Sequence, residues 1–418
     1  MNKYLTSQSY PFSISNSKYY LLLFLLWPFL AFITALINYS RKEARKVVYI
    51  FLIYYGFTFV VGNSGVDSER YALQLKTTAE LPFSDFFKII GGLYSDTSVD
   101  IVEPLVSFIV TRFTSYHGVY FAVWAAIFGF FYLKSINFLH DRNQKNQAWD
   151  AMIIMAFFIM IMPITTISGV RMATATWIFF YGACHVVLNR DARYLILSLS
   201  AALVHWSFFT VNILLIIYFI AGNRNLLYLP VVFLSFILPQ LLAPLFQSIS
   251  LKTGGALQHR YEGYSNEDYI LGIQDSYKGA SWFMGLSDDL IFYYLLFAII
   301  IIQVRYGSLL KEKAERNLFS FLLLFLSFVN FGKVIPTFGG RFQQVFYLFA
   351  AFYIFLGFLK MPGKKIGILT LIGLFPMLLY CAIMFRMGSE SISAWIFLPG
   401  FGLPLFAPIL SLSNMIFN

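Results

Sequence analysis

The sequence predicts an all-α, polytopic membrane protein, and three observations carry that prediction. Hydrophobic residues fill 59% of the 418 positions and charged residues only 12%, with a mean hydropathy of +0.71. Soluble domains are roughly 25% charged, so a chain with half that share cannot cover a water-facing surface. Apolar stretches of near-spanning length recur from one end of the chain to the other, and Lys and Arg cluster between them. The same figures exclude a disordered chain, a nucleic-acid-binding domain and a secreted disulfide scaffold. The net charge of +10 is therefore a matter of membrane sidedness. Cys184 and Cys381 both fall inside apolar runs and read as packing residues. The N-terminus shows no basic n-region with a short apolar run, so no removable signal peptide is expected.

Crossing ~30 Å of hydrocarbon takes about 20 apolar residues. Candidate spans lie near 20–39, 47–62, 118–138, 151–168, 172–188, 226–247, 289–305, 318–335, 343–359 and 366–386. The stretch 194–221 is too long for one span and carries His205, Trp206 and Ser207 near its middle, which predicts two short helices with a break there. The tail 395–417 holds Pro399, Gly400, Gly402, Pro404 and Pro408 and predicts a broken or re-entrant segment. If 194–221 breaks and 103–116 does not span, 17 basic and 6 acidic residues share one side, a net of +11 against −1 on the other. By the positive-inside rule that side is cytoplasmic, which gives about 12 or 13 membrane helices with the N-terminus outside. The chain then forms a single membrane domain, 1–418, with two long outer loops at 63–101 and 248–288. Phe83, Phe86, Ile90 and Leu93 in the first loop follow helical spacing, suiting either an interfacial helix or packing on the bundle. No strong internal repeat of the kind seen in inverted-repeat transporters is visible.

No P-loop, HExxH, CxxC or dinucleotide fingerprint is present, so no metal and no cofactor is expected. Ionisable residues in or against a membrane mark functional sites, and several converge on the outer helix ends. Asp67 follows the second span and could equally cap the next helix. Glu103 opens an apolar run ahead of Pro104. Arg171 follows Gly169 and Val170 at a helix start, where an anion is favoured, or it pairs with a nearby carboxylate. His205 lies at the predicted break beside Ser207. Lys333 and Arg341 flank a segment containing Gly339 and Gly340, small enough to let backbone approach a ligand. His117, His140 and His185 show no partners and read as structural or solvated. Paired arginines suit a phosphate-rich ligand, because guanidinium forks match phosphate oxygens. A pyrophosphate leaving group needs that charge as its glycosyl bond breaks, and a carboxylate or histidine could deprotonate an attacking hydroxyl. In the second loop, Arg260, Tyr261 and Tyr264 combine polar edges with aromatic faces and suit sugar binding or a solvated turn.

At these residues the chain resembles the EpsG-type, Wzy-like bacterial polysaccharide polymerases. Gly65-Val66-Asp67 with Tyr71 is similar to the family's G-x-D-x-x-x-Y after an early helix. Gly169-Val170-Arg171-Met172-Ala173 resembles its Arg followed by a small residue, with Met172 standing where the family often has Gln. Leu203-Val204-His205-Trp206-Ser207 resembles its His-x-Ser break, and Arg260-Tyr261 with Tyr264, then Gly340-Arg341 with Tyr347, its late elements. The resemblance covers roughly residues 50–350. It implies a GT-C-like bundle acting as a glycosyltransferase of the bacterial inner membrane, with its site facing the periplasm. Oligosaccharide repeat units on undecaprenyl pyrophosphate would be donor and acceptor, and undecaprenyl pyrophosphate the released product. Membrane lipid and a chain-length regulator protein are the other implied partners; nucleic acid is not one. On that reading Arg171 and Arg341 hold the pyrophosphate, with Lys333 beside them. His205 and Asp67 activate or position the acceptor with Glu103 as substitute, and Arg260, Tyr261 and Tyr264 contact glycan. A flippase for lipid-linked sugar and a glycan ligase of related architecture are the rival readings.

Overall fold

A computed structural model describes residues 17–62, 67–85, 100–143, 148–238, 244, 248, 282–361, 367–401 and 411–413. The helices are α1 (Ser17–Leu26), α2 (Pro28–Ile37), α3 (Lys42–Phe57), α4 (Asp67–Ala79), α5 (Val102–Thr111), α6 (His117–Asn143), α7 (Trp149–Ile161) and α8 (Val170–Asn189). They continue as α9 (Arg193–Val204), α10 (Phe208–Ala221), α11 (Asn225–Ile237), α12 (Trp282–Tyr306), α13 (Lys313–Gly332), α14 (Pro336–Lys360) and α15 (Ile368–Gly388). The described residues form helices and turns with one isolated bridge, and their buried side chains make one continuous apolar core. The chain is an all-α, multi-pass membrane protein. Among the described residues, six helices are long and apolar enough to cross by themselves: α6, the α7–α8 path, α12, α13, α14 and α15. The other apolar stretches form shorter helices, α1 and α2 meeting at Trp27-Pro28.

The break predicted at His205 is present, and α5 is a 10-residue helix too short to span. With 12 and 14 residues, α9 and α10 reach only ~18 and ~21 Å, so they fold as a hairpin with His205-Trp206-Ser207 at its apex. Asn212 receives a hydrogen bond from Ser198 Oγ at 2.7 Å and donates to Ser198 O at 3.0 Å, tying the two arms together. A second break falls between α7 and α8, where Pro163 ends one helix and a 3-10 turn, Ile164–Gly169, leads into the next. The carbonyls freed there are met by amphipathic aromatics: Trp177 Nε1 donates to Met162 O at 3.1 Å, Tyr380 Oη to Ile161 O at 3.2 Å and Tyr132 Oη to Ile159 O at 3.2 Å.

Helix direction sorts the loops to two ends. At one end lie the ion pairs Arg45–Asp141 at 2.5 Å, Arg193–Asp191 at 2.8 Å and Lys360–Glu315 at 3.5 Å, with Gly367 N donating to Asp150. At the other end the heads of α4, α5, α8, α10, α12 and α14 gather. In the first long loop, α4 is a polar helix that buries Ser68, Tyr71, Leu75 and Thr78, followed by a 3-10 turn at Phe83–Asp85. Phe86, Ile90 and Leu93 lie outside the described residues, as do the second loop (except Trp282 to Asp288 and residue 248) and 402–410 of the tail. Arg112 clasps the end of α4, donating to Leu81 O at 2.7 Å and Thr78 O at 2.9 Å while its guanidinium lies over Phe108.

Gly56 shows how tightly α3 and α6 pack: a Cβ there would stand 2.5 Å from Phe121 O and 2.6 Å from Ala125 Cβ. Backbone cannot yield as a flexible side chain does, so Gly56→Val is expected to cost about 1–3 kcal/mol. Gly340→Ala, whose methyl meets open space, should cost nothing. Melting temperatures in detergent check the pair, and equal values for Gly56→Val and wild type would disprove the close approach.

Candidate active site

Arg171 is the second residue of α8, in the first turn of a helix whose unpaired N–H groups favour an anion. Its Nε donates to Tyr71 Oη at 2.8 Å, and its Nη1 to Asp100 Oδ2 at 2.5 Å. The carboxylate pairing that the sequence left open for Arg171 is thus real. It does not consume the guanidinium: Nη2 makes no hydrogen bond to a described residue, and the side chain stays 24% exposed. Asp100 is 1% exposed and has a second task, accepting the Trp206 backbone N–H through Oδ1 at 2.7 Å. Next to it, Ile101 N donates to Leu203 O at 3.0 Å. Residues 100–101 therefore satisfy the open backbone of the hairpin apex, which at membrane depth must find partners within the protein.

His205 closes α9 in an extended conformation and is buried. Its Nδ1 accepts the Ser207 backbone N–H at 3.3 Å and lies 2.8 Å from Ser207 Oγ. In the neutral ring, an Nδ1 that accepts leaves the proton on Nε2. Phe208 links this apex to α14, its ring centroid 6.3 Å from His205 and 5.5 Å from Phe342, the neighbour of Arg341. Arg341 is half-buried in the second turn of α14, on the same end of the bundle.

The other candidates have distinct surroundings. Asp67 opens α4, is 51% exposed and pairs with Arg70 at 2.8 Å, one turn before Tyr71. Glu103 is buried behind the tyrosines, accepting from Tyr120 Oη at 3.0 Å and Ser107 Oγ at 2.7 Å, with the Tyr120 and Tyr71 rings 6.0 Å apart. Lys333 ends α13 with its Nζ 4.0 Å from the Phe292 ring centroid, near Asp288 and Asp289 on α12. Gly339 serves packing more than ligand approach, since a Cβ there would meet the Lys333 backbone at 2.6 Å. Tyr347 is buried and donates to Asp288 O at 3.1 Å, joining α14 to α12. Arg260, Tyr261 and Tyr264 lie outside the described residues.

The structure thus joins Arg171 to Tyr71 directly and to the His205 apex through Asp100, brings Glu103 behind them, and leaves Asp67 and Arg341 on the same end of the bundle. Asp100 is the participant that sequence reasoning missed. Its one signal is a carboxylate placed three residues ahead of Glu103 where an apolar run begins. Removing it should cost on the order of 2–4 kcal/mol in Asp100→Ala, which strands a half-buried guanidinium and an amide proton together. Asp100→Asn, which keeps one acceptor, should cost less. Hydrogen exchange at 203–208 checks this; an unchanged rate at Trp206 in the alanine variant would remove the bridging role.

Residues 57–398 match the model of the EpsG family. No curated protein and no solved structure matches the chain.

Proposed function

The chain belongs to the EpsG family of Wzy-like polysaccharide polymerases, and on that premise we propose that it joins oligosaccharide repeat units carried on undecaprenyl pyrophosphate. The site would face the periplasm from the inner membrane. One observation carries the reading: a guanidinium at a helix N-terminus, braced by Tyr71 and Asp100, with donor capacity left over. Such a group is preorganised for charge that develops on a diphosphate.

In the proposed reaction a hydroxyl on the terminal sugar of one lipid-linked unit attacks the anomeric carbon of the glycan on another. A glycosidic C–O bond forms as the C–O bond to pyrophosphate breaks, and undecaprenyl pyrophosphate leaves with the electron pair. Arg171 and Arg341 offset the charge on the departing diphosphate, and His205 donates from Nε2 to its oxygens. Asp67, the exposed carboxylate at the head of α4, takes the acceptor's proton. Glu103 serves the site by holding Tyr120 behind Tyr71. Arg260, Tyr261 and Tyr264 are assigned to the glycan on residue type, and Lys333, which faces α12, is given no part in the bond exchange.

Arg171→Ala should abolish polymer and let single lipid-linked repeats accumulate. Arg171→Lys should recover at most a few per cent of the activity, because an ammonium cannot meet Tyr71, Asp100 and a diphosphate in one plane. Purified protein supplied with lipid-linked repeat units alone should produce a ladder. Long polymer in Arg171→Ala would overturn the assignment. One chain moved to a different lipid would mark a ligase, and sugar translocation without new bonds a transporter.

A further inference from the structure

A cavity of about 270 Å³ opens at the same end of the bundle, between the end of α3, the head of α4, the 3-10 turn before α8 and the end of α15. Its position is fixed by Val60 N donating to Ser391 O at 3.0 Å and by Tyr55 Oη 2.8 Å from Ser391 Oγ, which tie α3 to the segment after α15. Two of its walls are the elements that hold the arginine. Ser68 lies three residues before Tyr71 on α4, and Ser168 three residues before Arg171 at the entry to α8. A separation of three helical residues is roughly 4.5 Å of rise, so the cavity adjoins the guanidinium cluster. Gly388 shapes the opposite wall, since a Cβ there would stand 2.5 Å from Thr165 Oγ1.

The chemistry of the lining is unusual for a membrane bundle. The hydroxyls of Ser68, Thr165 and Ser168 make no hydrogen bond to any described residue, although Ser68 is only 2% exposed. Ser68 is a buried residue while Thr165 and Ser168 are half-exposed, and three hydroxyls free to turn toward one space are suited to a partner rich in hydroxyls. Glu390 adds a carboxylate acceptor, held by Arg386 at 3.2 Å, and Met384 an apolar surface for a C–H face. The described lining contains no Lys or Arg, which sets it apart from a diphosphate site. Its volume falls at the lower edge of small-ligand pockets, ~300–1,000 Å³, and fits a single sugar ring.

We infer that this cavity is a monosaccharide subsite, holding the sugar next to the bond being made while the diphosphate rests at Arg171. The inference depends on the polymerase reading, and the sugar could belong to the acceptor terminus or to the donor.

The test measures binding to purified full-length protein of three probes from the host's own membranes. They are lipid-linked repeat units, undecaprenyl pyrophosphate, and the free oligosaccharide released from the first by mild acid. Ser168→Phe, which fills the cavity, should abolish the gain in affinity that the glycan contributes. Ser68→Ala with Ser168→Ala, which leaves the packing in place, should weaken it about tenfold, as two lost hydrogen bonds predict. Both variants should bind undecaprenyl pyrophosphate within twofold of wild type, and that result also shows that they are folded. Loss of free-oligosaccharide binding identifies the acceptor sugar; loss confined to lipid-linked glycan identifies the donor sugar. Glycan binding unchanged in both variants, or no contribution of glycan to affinity in wild type, overturns the subsite. Failure of wild type to bind undecaprenyl pyrophosphate overturns instead the reading on which it rests.

Discussion

The geometry of the site depends on one carboxylate that faces two ways. Asp100 accepts from Arg171 with one oxygen and from the Trp206 amide with the other, at 1% exposure. The first interaction aims a cation; the second satisfies backbone that the hairpin apex would otherwise leave open in an apolar surround. Neither element could keep its position alone. An unpaired guanidinium would turn toward water, and an open helix end would close by further winding or collapse. A single acidic side chain therefore couples the ligand-facing charge to the interruption of helix that makes room for it.

Around that bridge, two of the described helix breaks have their open backbone met by polar groups from elsewhere in the chain, in one case on aromatic carriers. At the α7 break the carriers are Trp177, Tyr380 and Tyr132, whose rings pack in the core while their N–H or O–H groups reach carbonyls. At the apex of α9 and α10 it is Asp100 with the Ile101 amide. The high aromatic content, 20% of the chain, thereby has a use beyond filling volume. The Phe208 and Phe342 rings meet edge to face between α10 and α14, the helices beside which His205 and Arg341 stand.

Much of this architecture can be read along the chain. The break in 194–221 follows from its excess length and from three residues that suit a turn, and the sorting of basic loops follows from charge alone. Arg171, His205 and Tyr71 stand in short patterns that mark them out. Asp100 is different. Its place ahead of Glu103 and an apolar run is its one mark, and its partners lie 71 and 106 residues away. Glu103 shows the same limit: its place before a proline suits either a helix start or a reactive carboxylate, and only the fold shows that Tyr120 and Ser107 donate to it. Gly339, two residues before Arg341, invited a ligand explanation and instead avoids a clash with the Lys333 backbone.

What the amino-acid order determined by itself is the solvent of the protein, its all-helical character, the helix break at His205 and the residue types able to meet an anion. These depend on composition and on neighbours within a few positions, where hydropathy and backbone sterics act. Which polar groups meet, which are buried behind tyrosines and which line an open cavity was decided only by tertiary packing. Ion pairs and hydrogen bonds act over a few ångströms in space, and the residues they join here are separated by dozens to hundreds of positions along the chain.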